Sequence, residues 1–163
     1  MAKVLTGVQS TGTPHLGNLL AQENIELVYG GGNKGLMGAV ANGCLDNGGS
    51  VIGIMPKLLL EWEAQHTGLT ELIITENMHD RKKILYEKGD AGLVLPGGMG
   101  TLDELFETLT LIQTKKAERV PVILYDKAFW QRLINFDMLV EEVLISAADL
   151  ELIQYADTPE HAW

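Results

Sequence analysis

Short continuous apolar runs, separated by segments of helical period, constrain this chain more than any other feature. The runs are Lys3–Val8, Ile25–Tyr29, Ser50–Met55, Glu71–Thr75, Ala91–Leu95 and Val120–Tyr125, with Leu152–Tyr155 fitting a last edge strand. They do not alternate polar and apolar residues, so they read as strands buried on both faces. Between them, Lys34–Asp46 spaces Leu36, Met37, Val40, Ala41, Cys44 and Leu45 at helical intervals and stops at Gly48-Gly49. Asn77 is a good cap for a helix over Met78–Lys88. Thr101–Thr114 turns Leu102, Leu105, Leu109 and Ile112 to one side. Phe129–Leu144 reads as one helix, and Ser146-Ala147-Ala148-Asp149 starts a short turn. Buried strands alternating with helices predict an α/β fold, a single Rossmann-like, doubly wound parallel sheet with helices on both faces. Lys57–Gly68 is the longest connection, and its Trp62 and His66 are expected to fold over something. Trp130 and Trp163 read as core or interface residues.

The 163 residues accommodate one domain, 1–163, and not two full ones. Asp plus Glu outnumber Lys plus Arg by 22 to 12, a net charge of −10 that argues against nucleic acid as a partner. A hydrophobic fraction of 46% excludes disorder. Cys44, the only cysteine, excludes an intramolecular disulfide and a cysteine-based zinc site. His15, His66 and His161 have no partners at ligand spacing, so no metal is assigned. No signal-type leader and no apolar run of about 18 residues occurs, so a cytoplasmic protein without membrane contact is expected.

Two glycine loops, each between a strand and a helix, are the candidate anion sites. In the first, Tyr29-Gly30-Gly31-Gly32-Asn33-Lys34-Gly35, glycines let backbone N–H groups approach a phosphate at a helix N-terminus, with Gly31, Gly32 and Gly35 as the candidates. A plain tight turn is the alternative, and no Gly-Lys-Ser/Thr ending makes it a Walker loop. The second, Pro96-Gly97-Gly98-Met99-Gly100-Thr101-Leu102-Asp103-Glu104, follows the strand ending at Leu95. Thr101 is expected to cap its helix, with Glu104 completing a capping box. Between the loops in sequence, Met78-His79-Asp80-Arg81-Lys82-Lys83 opens a helix with three cations. These read either as a solvated face or as anion ligands, and Arg81 is the one suited to bidentate contact.

The spellings YGGGNKGLMG, MHDRKK and PGGMGTLDE together resemble the LOG family, long labelled "lysine decarboxylase-like", over Ile25 to the C-terminus. The family comprises cytokinin riboside 5′-monophosphate phosphoribohydrolases and related nucleotide hydrolases. The resemblance implies a Rossmann-like fold, a homodimer with the active site near the interface, and cleavage of a nucleoside 5′-monophosphate such as AMP or N6-substituted AMP to free base and ribose 5-phosphate. It implies Arg81 and Glu104 as the catalytic pair and Gly97, Gly98, Gly100 and Thr101 as the phosphate cradle. Met78 and Lys82 join Gly31, Gly32 and Gly35 as expected substrate contacts. No cofactor is implied, and nothing in the sequence calls for the pyridoxal phosphate lysine of a decarboxylase.

The chemistry is sound on its own terms. N-glycosidic cleavage passes through an oxocarbenium-like state, which a carboxylate near C1′ stabilises while it orients or deprotonates water. Glu104, in a first helical turn, is expected to have its pKa depressed by the helix dipole. Asp103 should diverge from it, whereas Glu107, one turn on, reads either as a partner behind Glu104 or as a solvent-facing charge. A non-catalytic nucleotide or molybdenum-cofactor carrier is the alternative function. The first 24 residues are atypical of the family. They leave room only for a shortened first helix, which would expose apolar surface, and TPHLGN is similar to the nucleotide-binding opening of tryptophanyl-tRNA synthetases. That likeness would make this an aminoacylation-related protein, although His15 and Asn18 are poor catalytic candidates.

Overall fold

A computed structural model describes residues 3–7, 14–60 and 65–162. Its strands are β1 (Lys3–Gly7), β2 (Glu26–Tyr29), β3 (Val51–Pro56), β4 (Glu71–Thr75), β5 (Ala91–Val94), β6 (Val122–Tyr125) and β7 (Ile153–Ala156). They form one seven-stranded sheet in the order β4-β3-β2-β1-β5-β6-β7. Every pairing is parallel. The winding direction reverses between β1 and β5, and in open α/β sheets ligands bind at the carboxyl ends of the strands flanking that switch point. The loops leaving β2 and β5, both neighbours of β1, are the two glycine loops.

Burial follows the period-2 geometry of strands. Leu27 and Tyr29 of β2 and Ile123 of β6 face a layer made by α1 (Pro14–Gln22) and α2 (Gly35–Asp46). Val28, Ile52 and Ile54 face the other way, onto Leu85 of α4 (Met78–Lys88). On that same side Val122 and Leu124 pack with Leu105, Leu109 and Ile112 of α5 (Met99–Gln113) and with the fully buried Trp130. Leu105 and Trp130 each contribute roughly 2 kcal/mol or more through apolar area withdrawn from water.

The short α1 packs its own apolar residues. Leu16 and Leu20 are buried against α2, and Ala162 of the final 3-10 turn joins the same cluster. Gly17 permits this approach, because a Cβ there would stand 2.3 Å from the Val40 carbonyl oxygen. The Pro14–Asn18 part of the TPHLGN stretch therefore belongs to a packing helix, and its Asn18 accepts a hydrogen bond from Asn47.

Several local readings need correction. Phe129–Leu144 is not one helix but α6 (Lys127–Leu133) and α7 (Phe136–Glu141), separated where Ile134 turns extended and Asn135 caps the second by accepting from the Met138 N–H. The long connection begins with a helical turn, α3 (Lys57–Leu60). The helix expected from Thr101 begins two residues earlier, at Met99, with Gly98 in the cap position and no side-chain cap. Trp62, Trp163 and Val8 lie outside the described residues.

Candidate functional site

Arg81 ties three parts of the fold together. Asn77 caps α4 by accepting from the Asp80 N–H, which sets the helix start one turn before Arg81. From there the guanidinium donates through Nε to the Ile54 carbonyl of β3 (3.4 Å) and through Nη1 to Glu104 Oε1. Its Nη2 lies on Gly30, where a Cβ would stand 2.3 Å away. Met78, half-exposed, presents its sulfur to Nη1 at 3.8 Å. Arg81 and Glu104 are 13% and 17% exposed at their side chains, a shielded pair in which each charge is felt strongly.

Burial pushes the Glu104 carboxyl above the ordinary range, with the Arg81 charge pulling against that shift. This reverses the expected depression. Because α5 starts at Met99, Glu104 lies beyond its first turn, where the helix dipole has faded and desolvation dominates. Nor does Glu104 form a capping box with Thr101.

Lys82 points to two carboxylates, Glu107 at 2.8 Å and Asp103 at 3.0 Å. Hydrogen bonding to Glu107, with further help from Asp103, raises its pKa against desolvation. Glu107 is thus the partner of Lys82 and does not stand behind Glu104. Asp103 diverges from Glu104 onto the same lysine. Any substrate anion reaching Lys82 would compete with both carboxylates. A cavity of about 490 Å³ opens between α4 and α5 beside these residues, lined by Lys82, Tyr86, Glu104, Glu107, Leu111 and Lys116 among others.

The two loops differ in why they contain glycine. Gly97 is demanded by packing, since a Cβ there would meet Thr101 Oγ1 at 2.1 Å. At Gly98 and Gly100 a Cβ would meet nothing within 4 Å. The fold does not require glycine at either, and bare backbone faces open space beside the uncapped start of α5. Thr101 is buried, and its hydroxyl has no hydrogen-bond partner among the described residues.

In the first loop Gly31 and Gly35 hold left-handed φ values of +79° and +63°. The Gly31 carbonyl accepts from the His66 N–H (3.0 Å) and the Gly32 carbonyl from the Tyr29 hydroxyl (3.2 Å). Gly32 also bridges antiparallel to Gln65. Burial pushes the Tyr29 hydroxyl well above its usual range, keeping it a donor.

Gly30, Tyr29 and His66 were not singled out as site residues from the sequence. Gly30 stands in a run of identical letters, and only the position of Arg81 distinguishes it. Lys82 does not suit a Schiff base with pyridoxal phosphate. Lys82 is held protonated by two carboxylates, the reverse of the lowered pKa a Schiff-base amine needs.

A sequence profile described as "Possible lysine decarboxylase" matches residues 37–163. A cytokinin riboside 5′-monophosphate phosphoribohydrolase from Rhodococcoides fascians is 42% identical over 122 residues, covering 74% of this chain and 62% of that one. The enzyme of that description called LOG3 in Arabidopsis thaliana is 41% identical over 144 residues, 88% of this chain and 67% of its own. This chain therefore spans about two thirds or less of the length of these relatives. Among solved structures, a molybdenum cofactor binding protein from Rippkaea orientalis superposes with a TM-score of 0.68 at 25% identity, covering 99% of this chain and 91% of that one. The profile match and the relatives together show that this chain belongs to the LOG family, the family described as possible lysine decarboxylases.

Proposed function

We propose that this chain hydrolyses the N-glycosidic bond of nucleoside 5′-monophosphates, of the AMP or N6-substituted AMP type, to free base and ribose 5-phosphate. The observation that carries the reading is the shielded Arg81–Glu104 pair beside two glycine turns that leave the strands on either side of β1, next to the switch point of the sheet. The phosphate is held by the exposed backbone at Gly98 and Gly100 and by the Thr101 hydroxyl, with Gly97 shaping the turn. Gly31, Gly32, Gly35 and Met78 complete the substrate contacts, and Lys82 reaches the anion only by loosening its carboxylates.

Glu104 sits under C1′ in this mechanism. As the bond from C1′ to the base breaks, its electron pair leaves with the base, which takes up a proton from solvent, and Glu104 returns one to solvent at the end of the turnover. Positive charge develops on the ribose, and the carboxylate stabilises it. Water adds to C1′ and gives a proton to Glu104, whose raised pKa makes it a stronger base than a solvated carboxylate. Arg81 keeps that carboxylate oriented.

The same reading includes a homodimer, with a second copy closing the cavity between α4 and α5 near the site. It also includes a cytoplasmic location, where such nucleotides are used. No helix among the described residues is long and apolar enough to cross a membrane.

Incubation with AMP and N6-substituted AMP, followed by chromatography, tests the activity. Equal amounts of base and ribose 5-phosphate are expected, and Glu104→Gln should bind nucleotide without turnover. A folded protein that releases no base from any nucleoside monophosphate overturns the reading. The likeness to the Rippkaea cofactor-binding protein makes a carrier the second reading. Thermal stabilisation by a phosphorylated ligand with no product would favour it.

A further inference from the structure

His66 is a buried polar side chain outside the catalytic pair, and its contacts are fully specified. Its ring Nδ1 lies 3.1 Å from the Gly68 backbone N–H, which can only donate. Nδ1 is therefore the acceptor and the ring proton sits on Nε2. That N–H donates to Asn42 Oδ1 on α2 at 2.9 Å. The residue's own backbone N–H donates to the Gly31 carbonyl. One residue thus joins α2, the 65–68 segment and the first glycine loop.

The consequence follows from peptide planarity. In a trans peptide the carbonyl and the next N–H point in opposite directions. With the Gly31 carbonyl held towards His66, the Gly32 N–H is turned to the opposite side of the loop. Gly31 sits at a left-handed φ of +79°, a position glycine can leave easily, so the loop's own backbone does not hold this peptide orientation. Tyr29 fixes the following carbonyl.

We propose that His66 and Asn42 are positioning residues, a latch that keeps the Gly31–Gly32 peptide turned so that the Gly32 N–H meets the substrate. This rests on the nucleotide-binding reading above. Neither side chain touches substrate, and both act through the loop.

The test measures the dissociation constant for AMP by calorimetry, alongside base release and thermal unfolding, in the full chain and in the variants H66A, H66Q and N42A. Loss of one well-placed hydrogen bond should raise Kd about fivefold to tenfold in H66A and N42A. H66Q, whose amide N–H reaches towards Asn42, should recover most of the affinity, and H66Q combined with N42A should not. N42A separates positioning from stability. Alanine is the better helix former within α2, which offsets part of the lost hydrogen bond, so its Tm should fall less than that of H66A while its affinity falls as far. Folded H66A and N42A proteins with wild-type Kd overturn the latch. If the wild type binds AMP but releases no base, the hydrolase reading fails while the Kd values still judge the latch. If it binds no nucleoside monophosphate, both fall.

Discussion

The guanidinium of Arg81 rests on the bare α-carbon of Gly30, with Nη2 only 2.3 Å from where a side chain would begin. Gly30→Ala therefore has an unusual expected signature. The atom in the way is the far end of a flexible side chain, which can move without disturbing the fold, and Gly30 holds no left-handed φ that alanine would strain. Thermal stability should stay within roughly 2 °C of wild type, helped by the reduced freedom of the unfolded chain. Arg81, however, must shift against Glu104, and a displacement of about 1 Å near reacting groups can cost around a hundredfold in rate. Steady-state kinetics should show kcat down at least about tenfold. An alanine variant with full turnover would show that the seat of Arg81 does not matter.

The buried Glu104 carboxyl, raised above its ordinary range, fixes a pH dependence. As the base of the proposed hydrolysis it works only when ionised, so the acidic limb of kcat/KM should lie above the value of a solvated glutamate. Its effect on stability has the opposite sense. The folded state holds the proton to higher pH than the unfolded chain. The contribution is therefore full below the unfolded value and is lost as pH rises through the folded one. Glu104→Gln should flatten that decline when Tm is followed from acid to neutral pH. A rate limb at the solvated glutamate value, or a decline unchanged in the variant, would contradict this assignment.

The inner strands β2 and β3 were legible because burial on both faces leaves no room for polar residues: Leu27, Val28 and Tyr29 alternate between layers and all are buried, whereas the edge strand β4 exposes Glu71 and Ile74. The glycine loops were legible by their place between strand and helix. The start of α5 was not. Thr101 and Glu104 spell a capping box, but Thr101 packs on Gly97 and Glu104 pairs with Arg81, so tertiary partners override the local pattern. The break at Ile134-Asn135 was hidden because apolar periodicity runs through it. The direction of the Glu104 shift was also out of reach, since it depends on burial between α4 and α5, which no local spacing encodes.

Lys82 clamps α4 to α5 through Asp103 and Glu107, and its own side chain is mostly shielded while the carboxylates are partly exposed. An isolated surface pair contributes little, but one ammonium shared by two carboxylates at this shielding contributes more. Lys82→Met should lower Tm by roughly 2–4 °C in low salt. The difference should narrow in about 0.5 M salt, because the exposed carboxylates are screened. A Tm penalty that does not change with salt would mean that lost packing of the lysine stem, and not charge, is responsible.

Val143 ends α7 in the left-handed region, at φ +59°, with its side chain in water and 87% of the residue exposed. The Leu144 N–H bonds back to the Leu139 carbonyl and the Val143 N–H to that of Val140, the bonding of a Schellman turn whose left-handed position usually belongs to glycine. Gly48 occupies the equivalent place after α2, where the Gly49 and Gly48 N–H groups bond back to Cys44 and Leu45. A β-branched residue in this conformation is strained by roughly 1–2 kcal/mol. Replacing it with glycine removes that strain, loses almost no buried surface, and gives back roughly 0.5–1 kcal/mol in unfolded-chain entropy. Val143→Gly should therefore raise Tm by roughly 1–3 °C. Val140→Gly, inside α7, should lower it, because the same substitution there adds flexibility without relieving strain. If both variants lose stability, Val143 is held by contacts stronger than its backbone strain.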